Sequence, residues 1–247
     1  MQYRNFFLLL TYKHKINAME NKIRLLVLKF KNQLEHNEIK YFRGAVIHSL
    51  QQNNILFHNH TDEGLRYAYP LIQYKRIRQC AAIVCMNQGA EAIGSFFANY
   101  QNHLMIGNRP VTFEIDFLHP AEITIGLTDT MQVYQLNRWL PLNTKNYHIY
   151  QSLEGLVERI AFLEKILTAN ILACTKGLDI RLEQLLTCKI QEIQQTYPVE
   201  HKGVKFMAFN IVFTANITLP DYLSIGKNAS MDCGIVTHVP NQYVSSR

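Results

Sequence analysis

Residues 23–30 read IRLLVLKF, a mostly apolar run rich in branched side chains. This pattern predicts a buried strand. Shortly after it, Ile39, Phe42, Val46 and Leu50 recur at helical spacing with polar residues between them, which predicts an amphipathic helix. We therefore expect the fold to begin near Lys22 with a strand followed by a helix.

The pattern continues with further alternation of strands and helices. Residues 55–60, 71–75 and 81–86 are strand candidates, residues 88–100 have helical spacing, and residues 111–117 alternate between apolar and polar side chains. The alternating segment predicts a closing strand. The resulting order of elements resembles a ferredoxin-like unit.

A second unit with the same kinds of strand and helix patterns begins near Glu122. Residues 123–127, 131–140, 187–193 and 204–218 are strand candidates, and an apolar stripe from Leu153 to Ile171 predicts a long helix. Ser152 is a candidate N-cap for this helix, and Gly177 a candidate terminator. We predict an α+β protein with an extension at residues 1–18, a ferredoxin-like domain at 19–120 and a second at 121–247.

Composition limits the partners and the compartment. Lys and Arg number 25 against 19 Asp and Glu, for a net charge of +6, which permits a nucleic-acid partner without requiring one. None of the five cysteines is spaced as Cys-x-x-Cys, which disfavours a disulfide framework and a zinc ribbon and favours the cytoplasm. The apolar run at residues 6–10 is too short to span a membrane, and Met19 is an alternative start.

The chemistry concentrates in residues 55–78, ILFHNHTDEGLRYAYPLIQYKRIR. If residues 55–60 are extended, His58 and His60 point to the same face. An aromatic and basic run follows, and residues 65–90 contain no acidic side chain. A histidine pair beside such a run suits a polyanion whose phosphate gains or loses a proton.

Other interpretations of the same residues stay open at this stage. A His-x-His pair is also found as a solvated or buried pair or as part of a metal site. Asp62 and Glu63 follow it in a turn, and no other His and Cys cluster is evident, so we expect no metal. The basic run also fits a charged edge strand, Trp139 fits a core position, and His148, His201 and His238 carry no predicted role.

Specific strings resemble the CRISPR repeat-cleaving endoribonucleases, the Cas-six family of the RAMP superfamily. These strings run in the expected order from Lys22 to about Val236: KIRLLVLKF, YFRGAVI, NILFHNH, YAYPLIQYKRI, IVC, NRWLPLN, RIAFLEKILTANIL and HKGVKFMAFNIVFTANITLPDYLSIGK. The resemblance implies two tandem ferredoxin-like domains and cleavage of repeat RNA in precursor transcripts. In that family the 2′-hydroxyl attacks the adjacent phosphate without a metal or other cofactor, leaving a 2′,3′-cyclic phosphate and a 5′-hydroxyl.

The resemblance also directs attention to particular residues. We expect His58 and His60 to be catalytic, with the division between base and acid open. The expected RNA-binding residues are Arg66, Tyr67, Tyr69, Gln73, Tyr74, Lys75, Arg76, Gly226, Lys227, Asn228 and Ser230. Precursor CRISPR RNA is the expected partner, interference-complex proteins and a second copy of the chain are further candidates, and no membrane is expected.

The C-terminal loop departs from the glycine-rich segment of the relatives. Residues 223–234 read LSIGKNASMDCG, with Ser224, Asn228 and Asp232 where glycine is expected. Asn228 tolerates positive φ, whereas Asp232 is expected to place a negative charge beside a phosphate path. Two functions remain in play: a repeat-specific endoribonuclease, or a non-catalytic RAMP module that holds CRISPR RNA.

Overall fold

The computed structural model describes residues 21–49, 56, 60–61, 64–65, 69–99, 103–201 and 203–239 of the 247-residue chain. For residues 60–61 and 64–65 the description is of the backbone. The predicted extension at residues 1–18 and the alternative start at Met19 lie outside the described residues.

The N-terminal domain has the ferredoxin-like order of elements. These are β1 (Lys22–Gln33), α1 (Ile39–His48), β2 (His60–Thr61), β3 (Gly64–Leu65), β4 (Ile72–Ile77), β5 (Cys80–Met86), α2 (Gln88–Asn99), β6 (His103–Ile106), β7 (Arg109–Thr112) and β8 (Ile115–Thr124). The main sheet has the order β4-β5-β1-β8, and all neighbours are antiparallel. Strands β4 and β8 are therefore its two edges.

The middle of strand β1, residues 25–28, is apolar because both faces are buried there. Leu28 and Phe30 pack in a cluster with Phe42 of α1 and Phe96 of α2. Leu25 and Val27, together with Ile23, belong to a different cluster that continues into the C-terminal domain. Where both faces of a strand are covered, neither face meets solvent and neither needs polar side chains. This explains the uninterrupted apolar run.

Two predicted strands of this domain are placed differently. The alternating pattern at residues 111–117 is divided, because Val111 belongs to the β6–β7 hairpin, Phe113 is buried between strands, and β8 starts at Ile115. Strand β8 then runs to Thr124, past residue 120, where the sequence predicts the end of the first domain. In the predicted strand at residues 55–60, Leu56 has a helical backbone and His60 lies in β2.

The C-terminal domain repeats the arrangement with one replacement. Its elements are β9 (Leu127–Trp139), α3 (Thr144–Ser152), α4 (Leu156–Gly177), β10 (Cys188–His201), β11 (Val204–Ile217) and β12 (Ile235–His238). The sheet order β10-β11-β9-β12 matches that of the first domain. A loop at residues 218–234, here called the C-terminal loop, stands where the first domain has its second helix. The predicted fold class is confirmed.

Helix α4 begins later than predicted. Ser152 ends α3, and its hydroxyl donates to the carbonyl of Ile149 (2.8 Å). The N-cap of α4 is Gly155, and the carboxylate of Glu158 accepts from the Gly155 amide (3.5 Å). Ser152 as N-cap was therefore wrong, whereas termination at Gly177 is confirmed.

One buried cluster joins the two domains. It contains Val27 and Val84 of the first sheet, Leu167 of α4, and Leu136 and Ile211 of the second sheet. Trp139 belongs to the same cluster, which confirms its predicted core position. Burial shared in this way stabilises the contact between domains as well as each domain.

Among the described residues, no helix combines the length and apolar character that a bilayer crossing requires. The five cysteines are free thiols, and four of them are buried.

Candidate RNA interface

The C-terminal loop completes the edge of the N-terminal sheet. The Tyr74 amide of β4 donates to the carbonyl of Ser230 (3.0 Å), and the Asp232 amide donates to the carbonyl of Tyr74 (3.0 Å). These bonds form a parallel bridge between Tyr74 and Met231. The loop therefore covers the backbone groups that an edge strand would otherwise leave exposed.

Side chains of β4 alternate between two environments. Tyr74 packs toward α1, edge-on to Phe42 with ring centroids 6.1 Å apart. Gln73 and Lys75 point the other way, toward the C-terminal loop, and both are fully buried. The side chains of Gln73, Tyr74 and Lys75, which the sequence predicts to contact RNA, lie inside the protein.

The Lys75 ammonium is held by three oxygen acceptors. It donates to Gln73 Oε1 (2.8 Å), to Ser224 Oγ (2.8 Å) and to the carbonyl of Tyr222. Gln73 Oε1 also accepts from the Ser224 amide (3.1 Å). An ammonium has three protons, and this cluster uses all of them: the bond to Gln73 stays within β4, and the other two tie β4 to the loop.

Tyr69 extends the same network. Its hydroxyl donates to the carbonyl of Ser224 (2.6 Å) and accepts from Gln73 Nε2 (2.9 Å). A Cβ added at Gly177 would lie 2.1 Å from Tyr69 Cβ, so the end of α4 approaches Tyr69 closely because it ends in glycine. The expected RNA role of Tyr69 is thus accompanied by an observed structural one.

Asp232 does not present its charge to an open path, contrary to expectation. Its carboxylate is buried and accepts from the Arg76 amide through Oδ1 (2.8 Å). Its Oδ2 lies 2.6 Å from Nδ1 of His36, a half-exposed histidine in the turn after β1. The carboxylate is therefore occupied by a backbone amide and an imidazole from the other domain. No local sequence pattern indicates this role of His36, because its partner Asp232 lies far along the chain.

The loop obtains its shape from left-handed backbone positions. Asn228 (φ +57°), Asp232 (φ +59°), Gly226 (φ +83°) and Gly234 (φ +65°) all have positive φ. The prediction that Asn228 tolerates positive φ is confirmed. Asn and Asp are the non-glycine residues best suited to this conformation, which explains how the loop keeps its path with fewer glycines.

The remaining predicted residues fall into two groups. Lys227 is exposed, and Arg76, Gly226, Asn228 and Ser230 are partly buried along the loop and β4. His58, Arg66 and Tyr67 lie outside the described residues, and only the backbone of His60 is described, in the β2–β3 hairpin. The structure thus brings together Tyr69, Gln73, Lys75, Arg76 and the loop residues.

Comparison with known proteins agrees with this architecture. Family models of the Cas6b N-terminal and C-terminal domains match residues 21–124 and 126–239. This chain belongs to the Cas6b family. The family resemblance noted in the sequence is thereby confirmed.

Solved Cas6b structures have the same two-domain arrangement. One crystal structure of Cas6b has a TM-score of 0.81 at 29% identity, over 88% of this chain and 100% of that one. Another, of the CRISPR RNA processing endoribonuclease Cas6b, has a TM-score of 0.69 at 26% identity over the same shares. An uncharacterized protein of Methanocaldococcus jannaschii is 36% identical over 115 residues, which are 46% of this chain and 77% of that protein.

The buried hydrogen-bond cluster around Lys75 predicts that the stability of the protein depends on pH. Burial lowers the pKa of Lys75 from 10.5 to about 7, and the negative charge of Asp232 opposes this shift. Between pH 7 and about pH 9 the unfolded chain therefore binds more protons at this group than the folded protein does. Stability should rise with pH through that window by up to about 1 kcal/mol per pH unit from Lys75.

Urea unfolding of the wild type and of Lys75→Met at several pH values in this window measures the effect. The slope should be smaller in Lys75→Met, and Lys189→Met, which removes an exposed lysine on β10, should keep it. Equal slopes in the wild type and Lys75→Met would contradict the assignment.

The loop conformation predicts opposite tolerances at two of its positions. A Cβ at Gly234 would lie 1.9 Å from the carbonyl oxygen of Ile225, and φ there is positive. Gly234→Ala should lower the free energy of unfolding by about 3 kcal/mol or more. Asn228→Gly preserves a conformation that glycine adopts freely and should stay within about 1 kcal/mol of wild type. Chemical denaturation of both variants is the measurement, and a fully stable Gly234→Ala would refute the described loop path.

Proposed function

We propose that this protein is a metal-independent endoribonuclease that cleaves CRISPR repeat RNA within precursor transcripts. The observation that carries the proposal is membership of the Cas6b family across both domains, together with a His-x-His pair at residues 58 and 60. His60 lies in the β2–β3 hairpin, which precedes β4, the edge on which the C-terminal loop docks.

Histidine chemistry supports the proposed reaction. The 2′-oxygen forms a bond to the adjacent phosphorus while the bond from phosphorus to the 5′-oxygen breaks. One imidazole accepts the 2′-hydroxyl proton, and the other donates a proton to the departing 5′-oxygen. A reference pKa of about 6.5 keeps both forms of histidine populated near neutral pH, and each proton transfer contributes a factor of about 10² to 10⁴.

Burial changes which residues we propose for RNA binding. Since Lys75 is enclosed, the cations proposed to meet phosphate in the described part of the chain are Lys227 and Arg76, with Arg66 added from outside it. The backbone of Gly226, Asn228 and Ser230 and the rings of Tyr67 and Tyr69 complete the proposed interface. Lysine and arginine contacts to phosphate release counterions, so affinity should fall steeply with salt.

Substitution of the histidine pair tests the proposed chemistry. His58→Ala and His60→Ala, alone and together, should lower the cleavage rate of repeat RNA by at least about a hundredfold while repeat binding stays within a few fold. Cleavage is followed on gels in EDTA, and the cyclic phosphate is identified from its removal by acid and phosphatase. His119→Ala is the matched control, because His119 is an exposed histidine on β8, the opposite edge of the sheet.

Three outcomes separate the possible functions. Full-speed cleavage by the double variant would refute the histidine assignment, and cleavage that EDTA abolishes would refute metal independence. Tight, salt-sensitive repeat binding by the wild type without cleavage would favour the non-catalytic RNA-holding module.

A further inference from the structure

A cavity of about 500 Å³ lies in the C-terminal domain between the start of α3 and the β10–β11 hairpin. Its volume is in the range of cavities that hold one small ligand, on the order of 300 to 1,000 Å³. None of the residues discussed as candidate catalysts lines it. The cavity is therefore a feature that the cleavage chemistry leaves unexplained.

Four aromatic rings line this cavity. They belong to Tyr147 and His148 of α3, Tyr197 of β10 and Phe206 of β11. Tyr147 and Phe206 are partly buried, so their rings are held in place while still reaching the cavity. Such walls offer flat faces on which a nucleobase can stack.

The charges around the cavity favour an anionic occupant. Lys205 and His148 are among the lining residues, and the described residues that line the cavity include no Asp or Glu. Lys227 of the C-terminal loop places its Nζ 4.2 Å from the centroid of the Phe206 ring. Lys227 therefore places a positive charge beside a ring that lines the cavity.

Polar groups at the cavity could also form hydrogen bonds with a nucleobase. The Tyr197 hydroxyl donates to Asn210 Oδ1 (3.4 Å), and burial raises the pKa of Tyr197 above its usual value, so its phenol stays protonated. The hydroxyl of Tyr147 accepts from Gln151 Nε2 (2.7 Å), which orients that ring. The cavity thus combines stacking faces with a few oriented hydrogen-bonding groups, as ligand sites do.

Lys227 also connects the cavity to the proposed RNA interface. It belongs to the loop that docks on β4 through Ser230 and Asp232. A strand of RNA that follows the loop away from β4 would therefore meet Phe206 next. An apolar peptide or a second copy of the chain would gain little from the cations at the rim.

We propose that this cavity binds the base of one unpaired nucleotide of the RNA, stacked against Phe206 and Tyr197, with Lys205 and Lys227 at its phosphates. The proposal rests on the proposed function for the identity of the ligand as RNA. It adds a second contact point in the C-terminal domain, which would fix the position of the RNA strand independently of the histidine pair.

Binding of a fluorescein-labelled, unstructured oligoadenylate RNA tests the stacking contact. Phe206→Leu keeps apolar volume but removes the ring, and it should weaken binding by about fivefold or more. Phe206→Trp keeps a stacking face and should retain wild-type affinity within about twofold. Phe117→Leu is the matched control, because Phe117 is an exposed aromatic on β8 that also carries a lysine, Lys29, over its ring (5.7 Å).

Photocrosslinking of the unmodified protein adds a readout that needs no variant. Repeat RNA with 4-thiouridine at single positions should crosslink, from one unpaired position, to residues that line the cavity. Unchanged affinity in a folded Phe206→Leu, or crosslinks that all map outside the cavity, would overturn the proposal. Loss of self-association in Phe206→Leu with RNA affinity unchanged would assign the cavity to a second copy instead and would also overturn it.

The two proposals fail in distinguishable ways. If the wild type cleaves repeat RNA and Phe206→Leu binds RNA normally, the cavity proposal fails and the proposed function stands. If the wild type neither binds nor cleaves the RNA, the proposed function itself fails.

Discussion

The hydrogen bonds of the buried Lys75 ammonium constrain the arrangement of the two domains. A charge removed from water is costly unless its hydrogen bonds are replaced, and here all three replacements are oxygens at the domain boundary: Gln73 Oε1, Ser224 Oγ and the Tyr222 carbonyl. Two of these three belong to the C-terminal loop. Moving the loop along β4 would take these two acceptors away from the ammonium. Apolar packing in the shared core supplies stability, whereas this polar cluster selects the geometry.

Fixing the loop has consequences on both sides of it. Toward the N-terminal domain, the loop covers the edge of β4 and brings Asp232 to His36 and to the Arg76 amide. Toward the C-terminal domain, it carries Lys227 over Phe206 at the cavity. One loop thus determines where cations stand relative to the β2–β3 hairpin and to the aromatic cavity. Interactions of the kind proposed for RNA need groups held on rigid elements, and the loop obtains that rigidity from the bonds to β4.

Much of the fold could be predicted from local patterns. The apolar run of β1, the amphipathic stripe of α4 and the alternation in β11 are properties of neighbouring residues, so the sequence alone indicates them. At residues 111–117 the prediction failed because one alternating pattern runs through two different strands. At α3 it failed because the helix has little apolar periodicity, so that Ser152 at its end looked like the N-cap of the following helix. The strings that resemble the Cas-six family indicate the fold class and the family from sequence alone.

The site was harder to predict because its contacts are remote in sequence. Gln73, Tyr74 and Lys75 look like a surface for a polyanion when seen as part of a basic run. Their burial depends on Ser224, which lies 149 residues from Lys75, and no local pattern reveals such a partner. The prediction that Asp232 lies beside a phosphate path failed for the same reason, because its carboxylate is held by His36 and the Arg76 amide, which are remote in sequence. The aromatic cavity likewise joins α3 to the β10–β11 hairpin, which lies far from α3 in sequence.

Hydrogen exchange of individual amides tests the docking of the loop most directly. If the Lys75 cluster holds the loop on β4, the amides of Tyr74 and Asp232 should exchange as slowly as those of the central strand β5. In Lys75→Met both should become faster by a similar factor while β5 is unchanged. Rapid exchange of these two amides in the wild-type protein, at rates typical of an exposed loop, would contradict the docked arrangement.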